Sequence, residues 1–178
     1  MPSGAPTGQI LDGYNNVHLR YMEEGDSMYK KILFCACLTE FCEHVFNYSL
    51  ETALNQNAKL WIYHGLGRLN LGENEVIEEI KKTEAHLHDL FGDKMKRRGF
   101  DNFAINVSDG DVVSEITRLA RNANVDVIIM GTSTKAPIAA GESVRVSPLG
   151  SVTAETVLWA PCPVLVVPPS LVPGLTRR

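Results

Sequence analysis

No surplus of positive charge, no long apolar run and no standard phosphate loop occurs in this sequence. Its 178 residues carry 17 Lys and Arg against 21 Asp and Glu, a net charge of −4. Phosphate backbones are held by clustered positive charge, so this balance argues against a nucleic-acid partner. The one basic run, Lys94-Met95-Lys96-Arg97-Arg98, falls late in an expected helix, where cations complement the helix dipole. No apolar stretch approaches the ~20 residues that span a bilayer, which argues against a membrane protein. Residues Met1 to Pro6 lack the basic and apolar regions of a signal peptide. The expected compartment is therefore cytoplasmic and reducing, with Cys35, Cys37, Cys42 and Cys162 as free thiols. There is no GxxxxGK[ST] motif, and Gly65-x-Gly67 lacks the spacing of GxGxxG. No nucleophile, base and orienting residue come together, so no catalytic residue is assigned.

What is present is a regular alternation. Ile32 to Cys37, Lys59 to His64, Phe103 to Val107, Val125 to Met130 and Val164 to Val167 read as strands. The first and fourth are continuous apolar runs, typical of strands buried on both faces of a parallel sheet. Helices are expected over residues 40–54, with a buried stripe of Cys42, Val45, Phe46, Ser49 and Ala53, and over 74–96, with Ile77, Ile80, Leu87 and Phe91 on one face. A third helix follows Asp111, and a short one spans Ser151 to Trp159. Thr39 and Asp111 stand where caps are needed, and Gly99 where a helix ends. The order β-α-β-α-β-α-β-α-β implies right-handed crossovers and an α/β fold, a doubly wound five-stranded parallel sheet with helices on both faces. The folded domain is expected over residues 30–169, with a loosely ordered extension at 1–29 and a tail at 170–178.

Ligands of such sheets bind beyond the carboxyl ends of the strands, where the strand order reverses. The loops after the first and fourth strands are thus the candidates. Gly150-Ser151-Val152 opens the last helix, and a helix start offers unpaired N–H groups and partial positive charge. Gly150 has no Cβ to keep an anion away, and Ser151 is able to cap the helix or donate to a phosphate. Cys35, Cys37, Cys42 and His44 form C-x-C-x4-C-x-H, which is not the spacing of known zinc sites. Cys35 and Cys37 are expected on one strand face, while Cys42 and His44 diverge on a helix. Cys37, at a strand end beside the anion pocket, is the thiol expected to react. His86 and His88 read as a solvated face, and His64 as a satisfied polar residue near the cleft.

"VDVIIMGT…LGSVTAETVLWAPCPVLVVPP" closely resembles the C-terminal half of the universal stress protein family, and "VSDGDVVSEITRLARNANVDVIIMG" and "YKKILF" extend the likeness upstream. The resemblance implies an adenine-nucleotide alpha-hydrolase-like fold. It also implies a ligand, ATP or AMP, with Mg or Mn only beside a triphosphate, and at most slow nucleotide hydrolysis. Nucleotide-binding members share a Gly-x2-Gly-x9-Gly-Ser/Thr loop and an aspartate after the first strand. Gly131 matches the first glycine, Thr134 stands where the second belongs, and Gly150 and Ser151 match the end. Residues 135–149 lie between Thr134 and Gly150, six more than the pattern has. The aspartate position falls on Cys37, and the second strand's adenine-facing position on Gly65. The nucleotide site carried over is Ala36, Cys37, Gly65, Met130, Gly131, Thr134, Gly150, Ser151 and Val152, with no metal ligands. The family also implies a homodimer through the Val164–Val167 strand. Three readings follow: a nucleotide-binding regulatory module with an altered loop, an interaction dimer that has lost the nucleotide, and a thiol- or metal-responsive module built on Cys35, Cys37 and Cys42.

Overall fold

Every second residue of a strand faces the same side of its sheet, and both sides of this sheet are greasy. A computed structural model describes residues 27–132 and 149–168. The strands β1 (Lys31–Cys35), β2 (Lys59–Gly65), β3 (Phe103–Ser108), β4 (Val127–Gly131) and β5 (Val164–Val167) form one parallel sheet in the order β3-β2-β1-β4-β5. Ile32, Phe34, Leu60, Ile62 and Ile129 face one way, toward α1 (Glu40–Gln56) and the segment from α2 (Glu73–Leu87) to α3 (Asp93–Arg97). Leu33, Cys35, Tyr63, Ile128 and Met130 face the other, toward Ile116 and Ala120 of α4 (Val112–Ala123), against which α5 (Ser151–Trp159) also packs. The α/β architecture is the one expected, and the strand order reverses between β1 and β4.

The expected α1 stripe is buried in full: Cys42, Val45, Phe46, Ser49 and Ala53. Phe46 stacks on Phe91 at 4.3 Å between ring centroids, and Phe34 meets both rings at 5.9 Å. The long second helix differs from expectation. Ile77 is 43% exposed, because the sheet-facing contact begins further along the helix. The residues that bury there, Leu87, Phe91 and Met95, recur every four positions. A 3.6-residue period drifts off such a spacing. The wider π turn over His88–Gly92 absorbs the drift and keeps all three on the core. Gly99 takes φ 66° just past the helix end, as expected.

The caps divide. Asp111 accepts from Ser114 N at 2.9 Å and caps α4 as expected. Thr39 occupies the cap position of α1, but its side chain bonds no helix N–H. Ser151 is the first residue of α5, and the cap position is Gly150. Lys94 and Arg98 reach back to Glu43 and Glu51 of α1, each at 2.5 Å, so the basic run serves helix pairing besides the dipole. Strand β1 is fastened at its start by Asp126, whose Oδ2 accepts from both Lys30 N and Lys31 N at 2.8 Å. Ser27, Met28 and Tyr29 gather around Gln56 of α1. Residues 1–26, 133–148 and 169–178 lie outside the described residues; Thr134, most of the inserted loop, most of the extension and the tail fall there.

Candidate functional site

A cavity of about 460 Å³ opens at the carboxyl edge of the sheet where β1 and β4 part. Ligand sites commonly fall in the 300–1,000 Å³ range. One wall is the end of β1 with Ala36 and Cys37; the floor includes His64 and Gly65 at the end of β2; the far wall is Met130, Gly131 and Thr132 with Gly150, Ser151 and Val152. Every sequence-expected site residue among those described therefore borders one cavity. Sequence reasoning missed Tyr63, Val112, Ile116, Leu149 and Thr153, which also line it. Val112 was findable, since it follows a cap at the carboxyl end of β3 and so lies on the same edge of the sheet.

Three glycines border the cavity, for different reasons. Gly150 holds φ 85° and ψ 153°, a region that L side chains rarely enter. Its geometry turns the chain into α5, and the first turn of that helix lines the cavity, where a helix start presents N–H groups that have no partner within the helix. Gly131 is glycine because of what lies behind it. A Cβ there would sit 2.9 Å from Phe41 Cε1 and 3.1 Å from a methyl of Val45, so the gap admits α1 close against β4. Thr153 ties the two segments together, its hydroxyl donating to Gly131 O at 2.9 Å. Gly65 is equally crowded: a Cβ would lie 2.9 Å from Tyr63 Oη and from both methyls of Val112.

The polar groups are unevenly satisfied. His64 Nδ1 lies 2.8 Å from Ala36 O, which fixes the ring at the cavity floor and meets the expectation of a satisfied histidine. Tyr63 Oη pairs with Ser108 Oγ at 2.9 Å, and burial pushes its phenol up. Among the described residues the buried Thr132 hydroxyl has no hydrogen-bond partner. A buried polar group left unpaired costs about 1–3 kcal/mol. A smaller hollow of about 280 Å³ adjoins the cavity, sharing Val112, Ser151 and Val152 with it and bordered by Arg68. Arg68 is a cation the sequence reading did not single out.

Contrary to expectation, Cys35 and Cys37 do not share a face. Strand β1 ends at Cys35, so its alternation does not carry to Cys37. Cys35 is buried on the α4 side, where loss of water pushes its thiol far up. Cys37 turns instead onto α1: its N–H donates to Cys42 Sγ at 3.2 Å, and its own Sγ lies 3.2 Å from Thr39 Oγ1. His44 is exposed while Cys42 is buried, the divergence expected. Among the described residues no three His, Cys, Asp or Glu side chains are placed to hold a metal.

The sequence pattern of the Universal stress protein family matches residues 28–168. The chain belongs to that family. Solved universal stress proteins share its fold at low identity. One from Burkholderia pseudomallei is 21% identical, with a TM-score of 0.59 over 80% of this chain and 98% of that one. One solved in complex with cAMP is 19% identical, with a TM-score of 0.62 over 79% and 98%. One from Archaeoglobus fulgidus in complex with dAMP is 18% identical, with a TM-score of 0.53 over 78% and 98%. Among curated proteins, none matches the chain. In this universal stress protein Gly131 and Gly150-Ser151 border the cavity, and so does Cys37. No helix among the described residues is long and apolar enough to cross a membrane.

Proposed function

We propose that this universal stress protein is a cytoplasmic homodimer that binds an adenine nucleotide, ATP or AMP, as a regulatory ligand. The observation that carries the reading is the start of α5, where Gly150 at φ 85° turns Ser151 and Val152 into a cavity of nucleotide size. The phosphate is assigned to those N–H groups, with Arg68 on the adjoining hollow as a compensating cation. The base is assigned to the floor at Ala36, His64 and Gly65, and the Thr132 hydroxyl gains a partner when the site is filled. Met130 and Gly131 supply backbone to the far wall. A divalent Mg or Mn accompanies only a triphosphate, held by its oxygens, and Thr134 lies beyond this assignment. Chemistry at the site goes no further than slow hydrolysis.

Solved relatives in complex with cAMP and dAMP support this reading of the cavity. One observation favours a second reading, an interaction dimer without nucleotide. Cys37 stands where the resemblance expects a carboxylate, and a thiol is a poor partner for ribose hydroxyls. The deciding experiment is to denature the purified full-length chain and identify what it releases, then titrate it with AMP and ATP by calorimetry. Near-stoichiometric adenine nucleotide, or saturable binding, is the expected result. A protein that releases nothing and ignores both in the titration belongs to the second reading.

The dimer is assigned to β5. It is the outer strand beside β4, so one row of its backbone groups lacks a strand neighbour in the sheet. Next to it in sequence, Leu158 and Trp159 on α5 are 75% and 67% exposed. A second copy pairing through Val164–Val167 gives an isologous interface. Val166→Pro removes a ladder donor from that strand, and sedimentation should then show a monomer where the parent chain is a dimer.

A further inference from the structure

Leu38 holds φ 53°, a left-handed conformation that is costly for a branched-chain residue outside glycine's range. The strain has a visible consequence. It folds the chain back directly after β1, so that Cys37 lies over the first turn of α1 instead of continuing away from it. Three contacts hold it there: Cys37 N to Cys42 Sγ at 3.2 Å, Cys37 Sγ to Thr39 Oγ1 at 3.2 Å, and Cys42 N to Thr39 O at 2.8 Å. Thr39 spends its hydroxyl on the thiol and not on capping its helix. The two sulfurs differ in access. Cys37 is exposed at the rim of the cavity, while Cys42 is 2% exposed beneath it.

We propose that Cys37 and Cys42 form a peroxide-sensitive dithiol at the rim of the cavity, Cys37 the sulfur that is oxidised and Cys42 the one that resolves it. The inference stands on the turn and its contacts and does not require a nucleotide. In the first step the Cys37 thiolate attacks a peroxide oxygen. The S–O bond forms, the O–O bond breaks, and the departing hydroxide becomes water with the proton that the Cys37 thiol had given to solvent. In the second step the Cys42 sulfur attacks the sulfenic acid. The S–S bond forms, the S–O bond breaks, and the hydroxide leaves as water with the Cys42 proton. Two thiols lose two electrons together and the peroxide gains them. Hydrogen bonding supports the division of labour: the Cys42 thiol, ahead of the Thr39 hydroxyl, holds Cys37 down at about 5, and its bond to Cys37 together with burial pushes Cys42 far up. Cys162 is pushed up to about 11 by burial and the nearby Asp126 charge, so it remains a thiol. The disulfide would staple the turn to α1 and withdraw the Cys37 thiolate from the cavity wall.

The test uses the reduced full-length chain. Iodoacetamide at about pH 6.5 should label Cys37 at least about tenfold faster than Cys162, since only the thiolate reacts. Hydrogen peroxide should then remove two hydrogens from the intact mass, and peptide mapping should join Cys37 to Cys42 within one chain. In Cys42→Ala the same treatment should leave a sulfenic acid on Cys37, trapped as its dimedone adduct. Because that variant opens a small gap in the core, the mapping of the parent chain decides if it fails to fold. Peroxide that leaves Cys37 reduced, that oxidises Cys35 or Cys162 first, or that links Cys37 between two chains would overturn the proposal.

Discussion

The turn that leaves β1 and the turn that enters α5 form opposite walls of one cavity and are made of different materials. The α5 side is backbone: Gly150 at φ 85°, then Ser151 and Val152 at a bare helix start. The β1 side is side chains: Ala36 and Cys37 line the cavity, and Cys37 is held by Cys42 and by the Thr39 hydroxyl. The backbone wall is suited to an anion through main-chain N–H groups, which every substitution except proline leaves in place. The other answers to the identity of a few residues.

The sharpest way to break the distinction is Gly131→Val, which touches both walls. Its side chain would press on Phe41 and Val45 and displace α1, which carries Cys42. A loss of about 3 kcal/mol is expected from urea unfolding, the upper end for overpacking. Gly150→Ala acts on the backbone wall alone. Its φ 85° and ψ 153° disfavour any Cβ, so about 2 kcal/mol of stability should go, together with AMP binding measured by calorimetry. Unchanged AMP affinity in a folded Gly150→Ala protein would show that the helix start does not hold the phosphate. Cys37→Asp restores a carboxylate to the side-chain wall. AMP should bind about tenfold tighter, about 1.4 kcal/mol, within the range of one recovered hydrogen bond to a charged group. No gain would mean that the ribose does not reach that turn.

Asp111→Ala is the control, since it removes the α4 cap at 2.9 Å from Ser114 N without altering the thiol turn. Thermal unfolding should report a loss of about 1 kcal/mol with no change in Cys37 alkylation. The smallest effect is on pH. Folding lowers the Cys37 thiol from 9.0 to about 5, first through the Cys42 hydrogen bond. A group lowered on folding stabilises fully above its unfolded value and loses that contribution as pH falls toward its folded value. The parent chain should therefore lose stability between pH 9 and pH 5 relative to Cys37→Ser. The difference should be modest, because the sulfur is exposed and water screens it.

Much of this was legible in advance. Continuous apolar runs named β1 and β4, helical spacing named the buried stripe of α1, and the alternation of the two implied a parallel sheet. The cavity could be placed between the loops after β1 and β4 by topology alone. Other features were not legible. Ile77 fits a helical stripe but lies beyond the end of the contact surface, and the π turn at His88–Gly92 leaves no mark in composition. Gly131 matches a ligand-binding motif, yet its missing Cβ is explained by Phe41 and Val45, residues ninety and eighty-six positions earlier. Thr39 has the chemistry of a helix cap and is used as a thiol partner.

By itself the amino-acid order determined the kind of fold and the edge of the sheet on which the cavity opens. Those follow from periodicity, from turn residues and from the handedness of crossovers, all of which act over short stretches of chain. Only the folded molecule decided which cysteines meet. Cys35 and Cys37 are two residues apart and face different surroundings, while Cys37 and Cys42 are brought together by one left-handed residue between β1 and α1. A strand's alternation ends where the strand ends, and what a side chain touches beyond that point is set by the packing of the next helix.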